Sequence, residues 1–112
     1  MKQLLIIVLF ATLFSVSCNK AEDNISLPLC IQVKINDFSV ESCEVGANVK
    51  EYIFQGKTVF VFDPGTCGAD MTSEVSDFEC ITLGYLGGIT GNTHINEESF
   101  ANAVFIQTIW KK

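Results

Sequence analysis

The first eighteen residues constrain this chain more than any other segment, because they predict export and remove part of the chain from the fold. Lys2 is followed by eleven mostly apolar residues, Leu4 to Phe14, and then by small residues ending at Cys18. This pattern is typical of a secretory signal peptide, and the stretch is shorter than the ~20 residues that span a bilayer. Residues 1–17 are therefore predicted to be removed, which leaves 95 residues for one small domain.

Cys18 stands where the mature chain would begin, and there it resembles the lipid-acceptor cysteine of bacterial lipoproteins. Lipidation predicts an exported protein anchored to the bacterial outer membrane, on its periplasmic or cell-surface face. The several acyl chains of such lipoproteins anchor stably, whereas a single chain binds only marginally. Residues 18–27 then form an acidic tether. Its Glu22-Asp23 pair resembles the surface-export signals of some bacterial lipoproteins, and an ordinary solvated linker explains the same composition.

The charge of the remaining chain excludes two classes of partner. Once residues 1–17 are removed, six lysines stand against thirteen acidic residues, and the chain has no arginine. Nucleic-acid-binding proteins need clustered Lys and Arg to neutralise phosphate, and anionic lipid headgroups attract similar clusters. We therefore expect no nucleic-acid partner, and membrane contact through lipid on Cys18 instead of surface charge.

Four cysteines remain besides Cys18, and an even number in a small exported domain predicts two disulfides. They are Cys30, Cys43, Cys67 and Cys80. A four-cysteine zinc site is the alternative, but no C-x2-C pair exists to support it. The sequence therefore predicts no metal and no cofactor.

Residues 48–63 give the clearest secondary-structure signal. Val49–Phe54 and Lys57–Asp63 are β-branched and aromatic, and Gln55-Gly56 between them is typical of a tight hairpin turn. A type I′ turn and a type I turn with a glycine bulge both fit, and the bulge register sorts the side chains best. It places Val49, Ile53, Val59 and Val61 on one face, and Tyr52, Phe60 and Phe62 on the other. Both faces are apolar, so each needs a cover.

The same register suggests how the cysteines pair. Opposed positions sum to about 110, as do Cys43 and Cys67, so extending the hairpin brings these two together at its open end. Cys30 and Cys80 then pair by exclusion. Two local bridges, Cys30–Cys43 and Cys67–Cys80, stay open as the alternative. Each bridge is expected to add ~2–4 kcal/mol of stability.

The remaining segments are assigned from local pattern. Residues 28–38 fit an alternating strand and also a helical stripe (Leu27, Ile31, Ile35, Phe38) capped by Ser26, and periodicity does not decide between them. The others are a turn at Asp63-Pro64-Gly65, a short helix at Ala69–Ser76, a strand at Cys80–Leu86, a helix start at Asn96–Ser99 and a strand at Val104–Trp110.

Three segments resemble a family of small uncharacterised bacterial lipoproteins known only as a domain of unknown function. They are GKTVFVFDPGTCGADM (56–71), LGGITGN (86–92) and IW (109–110). Members often begin with a helix reading I-x-x-K-I-x-x-F, which Ile31 to Phe38 match, so the resemblance implies that 28–38 is helical. Other members often carry paired cysteines where this chain has Cys67 alone, so their bridge pattern does not transfer. The resemblance covers about 28–112 and implies no catalytic residue.

Candidate catalytic groups are few. His94 is the one histidine and lies in a polar segment, and no G-x-S-x-G motif supplies a serine nucleophile. Asp63 and Asp70 are explained as turn and cap residues. The glycines at 84, 87, 88 and 91 lack the spacing of a phosphate-binding loop, and a permissive loop flanked by apolar residues is a candidate for partner contact.

The sequence thus predicts an α+β domain over 28–112, with one N-terminal helix on an antiparallel sheet of about four strands and two disulfides. The predicted function is a non-enzymatic binding or accessory module for an envelope protein, using the Pro64–Ala69 turn and a glycine-rich loop with exposed apolar side chains. The loop residues are Tyr85, Leu86, Gly87, Gly88, Ile89 and Asn92. The alternative is a small extracytoplasmic hydrolase or calcium-dependent carbohydrate binder, in which Asp63, Asp70 and His94 converge in one cleft.

Overall fold

A five-stranded antiparallel sheet is the centre of the structure, a computed structural model that describes residues 27–112. The predicted signal peptide, Cys18, Ser26 and nearly all of the tether lie outside this range. The elements are α1 (Leu29–Glu41), β1 (Asn48–Phe54), β2 (Lys57–Asp63), β3 (Thr72–Asp77), β4 (Thr82–Gly87), β5 (His94–Ile95), β6 (Glu98–Ser99), a 3-10 helix (Phe100–Asn102) and β7 (Val104–Lys111). The sheet order is β4-β3-β2-β1-β7, and β5 pairs with β6 separately. The α+β class is confirmed, with five strands in the main sheet instead of about four.

Residues 29–41 form the helix α1, so the strand interpretation of 28–38 is wrong. Ile31 is fully buried and Ile35 is 9% exposed, and the two lie one helical turn apart on the face that packs on the sheet. The helix has weak signals of its own, because Pro28 at the N-cap makes no side-chain hydrogen bond and the first turn has no acidic residue. Packing on the sheet therefore stabilises α1, as it does most short helices.

β1 and β2 form the predicted hairpin, but in a different register. Asn48 lies opposite Asp63 and Phe54 opposite Lys57, so the turn consists of two residues. Gln55 and Gly56 have φ angles of 53° and 75°. These angles belong to a type I′ turn, whose backbone matches the right-handed twist of paired strands. The predicted glycine-bulge register is therefore wrong.

This register distributes the hairpin side chains between two cores, one on each face of the sheet. The core under α1 contains Ile31, Ile35, Val49, Phe60 and Phe62. The core on the other face contains Phe54, Val59, Val61, Val75 and Ile95, with Tyr52 and Phe100 packed against it. Val49 is thus separated from the valines of β2, and Tyr52 from the phenylalanines of β2, contrary to the predicted grouping. The segment after β4 covers the second core.

The short helix predicted at Ala69–Ser76 is wrong, because most of this segment belongs to β3. Val75 lies opposite Val61 of β2, and Glu74 lies opposite Tyr85 of β4. Val75 is fully buried. Pairing with strands on both sides and the burial of Val75 stabilise a strand here, and they outweigh the local preference of the cap-like residues for a helix. The strand predicted at Cys80–Leu86 is observed as β4.

The helix start predicted at Asn96–Ser99 is also wrong in position. Asn96 and Glu97 have φ angles of 51° and 66° and form the two-residue turn between β5 and β6. The 3-10 helix begins only after Ser99, whose hydroxyl accepts a hydrogen bond from the N–H of Ala101 at 3.2 Å. Helical structure therefore begins at Phe100, directly after the predicted start.

Two disulfides fasten α1 and the following loop to the sheet. Cys30 at the start of α1 is bonded to Cys80 between β3 and β4, and Cys43 after α1 is bonded to Cys67 between β2 and β3. This is the pairing that the hairpin extrapolation favoured over two local bridges. The extrapolation tolerates the change of register because opposed positions of the observed hairpin sum to 111, one away from the predicted value.

β7 is the predicted last strand and lies at one edge of the sheet, where it pairs with β1 alone. Its pairing is interrupted by two register shifts, next to Val49/Lys50 and Glu51/Tyr52. Bulges of this kind increase the twist of an edge strand and discourage pairing with other chains. The first half of β7 is nevertheless apolar and exposed, with Val104 at 59% and Phe105 at 52%.

Candidate functional site

Three loops meet at one end of the sheet and contain the predicted Pro64–Ala69 turn and the second half of the predicted glycine-rich segment, whose first half belongs to β4. They are residues 42–47 between α1 and β1, residues 64–71 between β2 and β3, and residues 88–93 between β4 and β5. The N–H of Thr66 donates to the carbonyl of Val45 at 3.1 Å, and the N–H of Gly88 donates to the carbonyl of Met71 at 3.1 Å. The Cys43–Cys67 disulfide adds a covalent link. We call these loops, together with Tyr85 on β4, the loop surface.

The loop surface exposes four large apolar side chains. Ile89 is 84% exposed, Val45 68%, Tyr85 52% and Met71 36%. Exposed apolar side chains on adjoining segments are typical of an interaction surface. The exposed apolar residues expected beside the glycine-rich loop are therefore present. Val45 and Met71 were not predicted; the signal for Val45 was an apolar residue between Cys43 and a glycine, outside any periodic segment.

The glycine-rich loop is a tight turn held by backbone hydrogen bonds. Gly87 and Asn92 exchange two of them, at 2.9 and 3.1 Å, and the N–H of Gly91 donates to the carbonyl of Gly88 at 3.0 Å. Gly88 has a φ of +79°, and a Cβ there would lie 2.8 Å from a methyl group of β3. Glycine is therefore required at this position, and the turn carries Ile89 at its tip.

Some of the predicted loop residues expose their side chains, and others hold the turn in place. The amide nitrogen of Asn92 donates to the carbonyl oxygens of Tyr85 at 2.7 Å and His94 at 2.8 Å, which fixes the base of the turn. Leu86 is half-buried and packs against the second core. Tyr85 and Ile89 are the members that present exposed apolar side chains.

The Pro64–Ala69 turn packs directly against the loop before β1. The Asp63 carboxylate accepts a hydrogen bond from the N–H of Gly65 at 2.9 Å, so this residue has the turn role that the sequence indicated. Gly65 has a φ of +89°, and a Cβ there would lie 2.8 Å from the backbone nitrogen of Ala47. This close backbone approach holds Val45 in a defined place.

A shallow depression of about 480 Å³ lies beside the glycine-rich turn. Its lining residues are Leu86, Asn92, Thr93, Ser99, Phe100 and Ala101. The lining thus combines two larger apolar side chains with hydroxyl and amide groups.

The residues of the catalytic or calcium-binding alternative lie in three different segments of the chain. Asp63 shapes a turn, and Asp70 lies exposed in the β2–β3 loop with a φ of 60°. His94 lies in β5, with Nδ1 3.0 Å from the hydroxyl of Thr93. Within residues 27–112, no group of three or more His, Cys, Asp or Glu side chains is arranged to hold a metal ion. No observation therefore favours this alternative.

A carboxylate with a perturbed pKa lies away from the loop surface. Glu98 accepts hydrogen bonds from Gln55 Nε2 and Asn102 Nδ2, both at 3.0 Å, and these donors hold its pKa below the ordinary value of 4.5. Asn96 also donates to Gln55, at 3.2 Å. This network joins the β1–β2 turn to the β5–β6 turn, so its role is structural.

The fold and its exposed loops define a small, disulfide-bonded α+β domain. Residues 39–112 match the family described as a domain of unknown function (DUF6970). Because the match covers more than half of the chain and contains every strand, the chain belongs to this family. Comparisons with curated proteins and with solved structures give no significant match. No helix in the described part of the chain is long and apolar enough to cross a membrane.

Proposed function

We propose that this protein is a non-enzymatic binding module of the bacterial envelope, held to the membrane by lipid on Cys18 and engaging another protein through the loop surface. The observation that carries the binding role is Ile89, which is 84% exposed at the tip of a turn fixed by hydrogen bonds. A rigid apolar tip loses little conformational entropy on binding, and its removal from water drives association.

The other exposed residues of the loop surface favour a protein partner. Tyr85 and Met71 belong to residue types enriched in protein interfaces. Val45 is held against the Pro64–Ala69 turn by the Cys43–Cys67 disulfide and by the hydrogen bond from Thr66. These side chains are exposed, and the depression beside the glycine-rich turn is shallow and open, whereas small-molecule sites are enclosed concavities with converging polar groups.

Export, on which the lipid anchor depends, is supported by the sequence before the domain and by the disulfides within it. The apolar stretch that ends at Cys18 has the pattern of an export signal. The two disulfides of the domain are the kind of bond that forms in oxidising compartments outside the cytoplasm.

The binding role is tested by placing a photo-crosslinking amino acid at position 89 in growing cells and identifying the captured protein by mass spectrometry. We expect one defined product from position 89 and none from position 33, because Val33 is 51% exposed on the outer side of α1. With the purified partner, Ile89→Ser should weaken binding by about tenfold, and Val33→Ser should leave it unchanged. Equal products from both positions, or equal affinities, would contradict the proposal.

The anchor is tested separately by expressing the full chain in bacteria fed an alkyne-labelled palmitate. The protein should take up the label, and Cys18→Ser should abolish uptake. An unlabelled wild-type protein, or labelling that survives in Cys18→Ser, refutes the anchor and leaves the binding role of the loop surface to its own experiment.

A further inference from the structure

A second group of exposed apolar side chains surrounds the Cys30–Cys80 disulfide. Leu29, directly before Cys30, is 74% exposed, and Ile81, directly after Cys80, is 58% exposed. Phe78 is 44% exposed although its ring lies 6.3 Å from that of the buried Phe60. We call Leu29, Phe78 and Ile81 the anchor-side patch. The disulfide and the β3–β4 turn hold the three residues in fixed positions on the folded domain.

The anchor-side patch and the loop surface lie at opposite ends of the same strand. β3 begins at Thr72, next to Met71 of the loop surface, and ends at Asp77, next to Phe78 of the patch. Its six residues, at about 3.3 Å each, separate the two ends by about 20 Å. α1 runs between them as well, from Cys30 to the residues just before Cys43.

The predicted tether leads directly to this patch. The ten residues 19–28 separate Cys18 from Leu29, so the eleven steps from Cys18 to Leu29 reach about 40 Å at most when fully extended. If lipid is attached at Cys18, the start of α1 is therefore confined within a few nanometres of the bilayer. Such confinement raises the effective concentration of the patch at the lipid surface.

We propose that the anchor-side patch rests on the phospholipid surface to which Cys18 is attached, with its apolar side chains at the boundary between headgroups and acyl chains. The proposal rests on the lipid anchor of the proposed function. Exposed aromatic and aliphatic residues on a tethered domain suit this boundary. Contact there would turn the domain so that Ile89 and the rest of the loop surface face away from the membrane.

The charges beside the patch specify the kind of lipid. Asp77 and Glu79 flank Phe78, and an open depression next to them also includes Lys57 and Thr58. Two carboxylates against one lysine disfavour an anionic surface and favour zwitterionic headgroups. Contact is therefore expected on phosphatidylcholine or phosphatidylethanolamine, and it should weaken as anionic lipid is added.

The test uses an anchor that does not depend on cellular acylation. The chain from Cys18 onward, with its four other cysteines in disulfides, is coupled through the Cys18 thiol to a maleimide phospholipid in phosphatidylcholine vesicles. In a Trp110→Phe background, one variant carries Ile81→Trp in the patch. Its matched control carries Ile89→Trp, which makes the same substitution at an exposed residue of the opposite end. Brominated phosphatidylcholine then quenches any tryptophan that reaches the acyl boundary.

We expect brominated lipid to reduce the emission of the Ile81→Trp variant by about twofold and to leave the Ile89→Trp variant unchanged. Equal quenching of both variants, or none in Ile81→Trp, overturns the proposal. A third result also overturns it: without lipid, the Ile81→Trp variant sediments as a dimer and its tryptophan is shielded from water. The patch is then an interface between two copies of the chain. Palmitate labelling tests the anchor made in cells, whereas lipid quenching tests a chain that is coupled chemically to the vesicle. A failure of the natural anchor can therefore be distinguished from a failure of the patch to contact lipid.

Discussion

At the scale of single residues, the carboxylate of Glu98 makes the stability of the domain depend on pH. Its pKa in the folded chain is lowered by donors from Gln55 and Asn102. Glu98 therefore stabilises the fold above its unfolded-state pKa, and this contribution is lost as the pH falls through the lower folded-state pKa. We expect Glu98→Gln to lower the urea midpoint at neutral pH and to match wild type in acid well below pH 4.5. A pH dependence that is unchanged in Glu98→Gln would contradict this account.

Gly65 is a second residue whose role is specific enough to test. A methyl group at position 65 would meet the carbonyl oxygen of Val45 and the nitrogen of Ala47. Gly56 has a similar positive φ but open space around it. Alanine at either site costs ~1–2 kcal/mol for the left-handed backbone, and Gly65→Ala should lose a further ~1–3 kcal/mol from overpacking. Chemical denaturation of Gly65→Ala and Gly56→Ala measures the difference. An equal loss of unfolding free energy in both would show that the loop of Gly65 can move away from Val45 and Ala47 without cost.

At the scale of elements, the sequence predicted those strands whose own residues indicate a strand. The β1–β2 hairpin and β7 were predictable because β-branched and aromatic residues follow one another between clear turns. β3 was not predictable, because its residues form a strand only through pairing with β2 and β4 on either side. The hairpin register depends on which of two turn types forms, and both accept Gly56 equally well. The twist of the paired strands selects the type I′ turn, and the residue pattern does not show this twist.

The candidate site was predictable to a similar extent. The glycine spacing indicated a loop with exposed Tyr85 and Ile89, because glycines and flanking apolar residues are local features. The participation of Val45 depends on a contact between separate loops, the hydrogen bond from Thr66. The support given by Asn92 is local, but it depends on how the turn folds its amide back onto Tyr85. Only the folded chain reveals them.

The helix α1 depends on a disulfide as much as on its own sequence. It has no side-chain cap at its start, and Cys30 attaches that start to Cys80 across a sequence separation of 50. Replacing both cysteines by serine should lower the free energy of unfolding by ~2–4 kcal/mol. Hydrogen exchange should show faster exchange in the first turns of α1 than in β2. The matched Cys43→Ser/Cys67→Ser variant should instead loosen the loop surface, and protection of α1 that is equal in both variants would contradict this division of roles.

At the scale of the whole molecule, the chain builds two apolar ends on one sheet. The loop surface and the anchor-side patch each lie beside one disulfide, and β3 and α1 span the distance between them. A small domain has limited core with which to hold exposed apolar side chains in place. Covalent bonds at both ends therefore stabilise the parts of the fold that face outward.

The two cores should nevertheless unfold as one unit, because β1 and β2 contribute side chains to both faces of the sheet. Trp110, the one tryptophan, packs on Phe38 at the α1 side and reports on that core alone. Ile95 belongs to the opposite core and is 1% exposed, so Ile95→Ala should cost ~2–5 kcal/mol. We expect the urea midpoints from Trp110 fluorescence and from far-UV circular dichroism to fall together in this variant, with little change in Ile89→Ala. A fluorescence midpoint that stays at the wild-type value would mean that the two faces unfold independently, and that the shared hairpin does not couple the two cores.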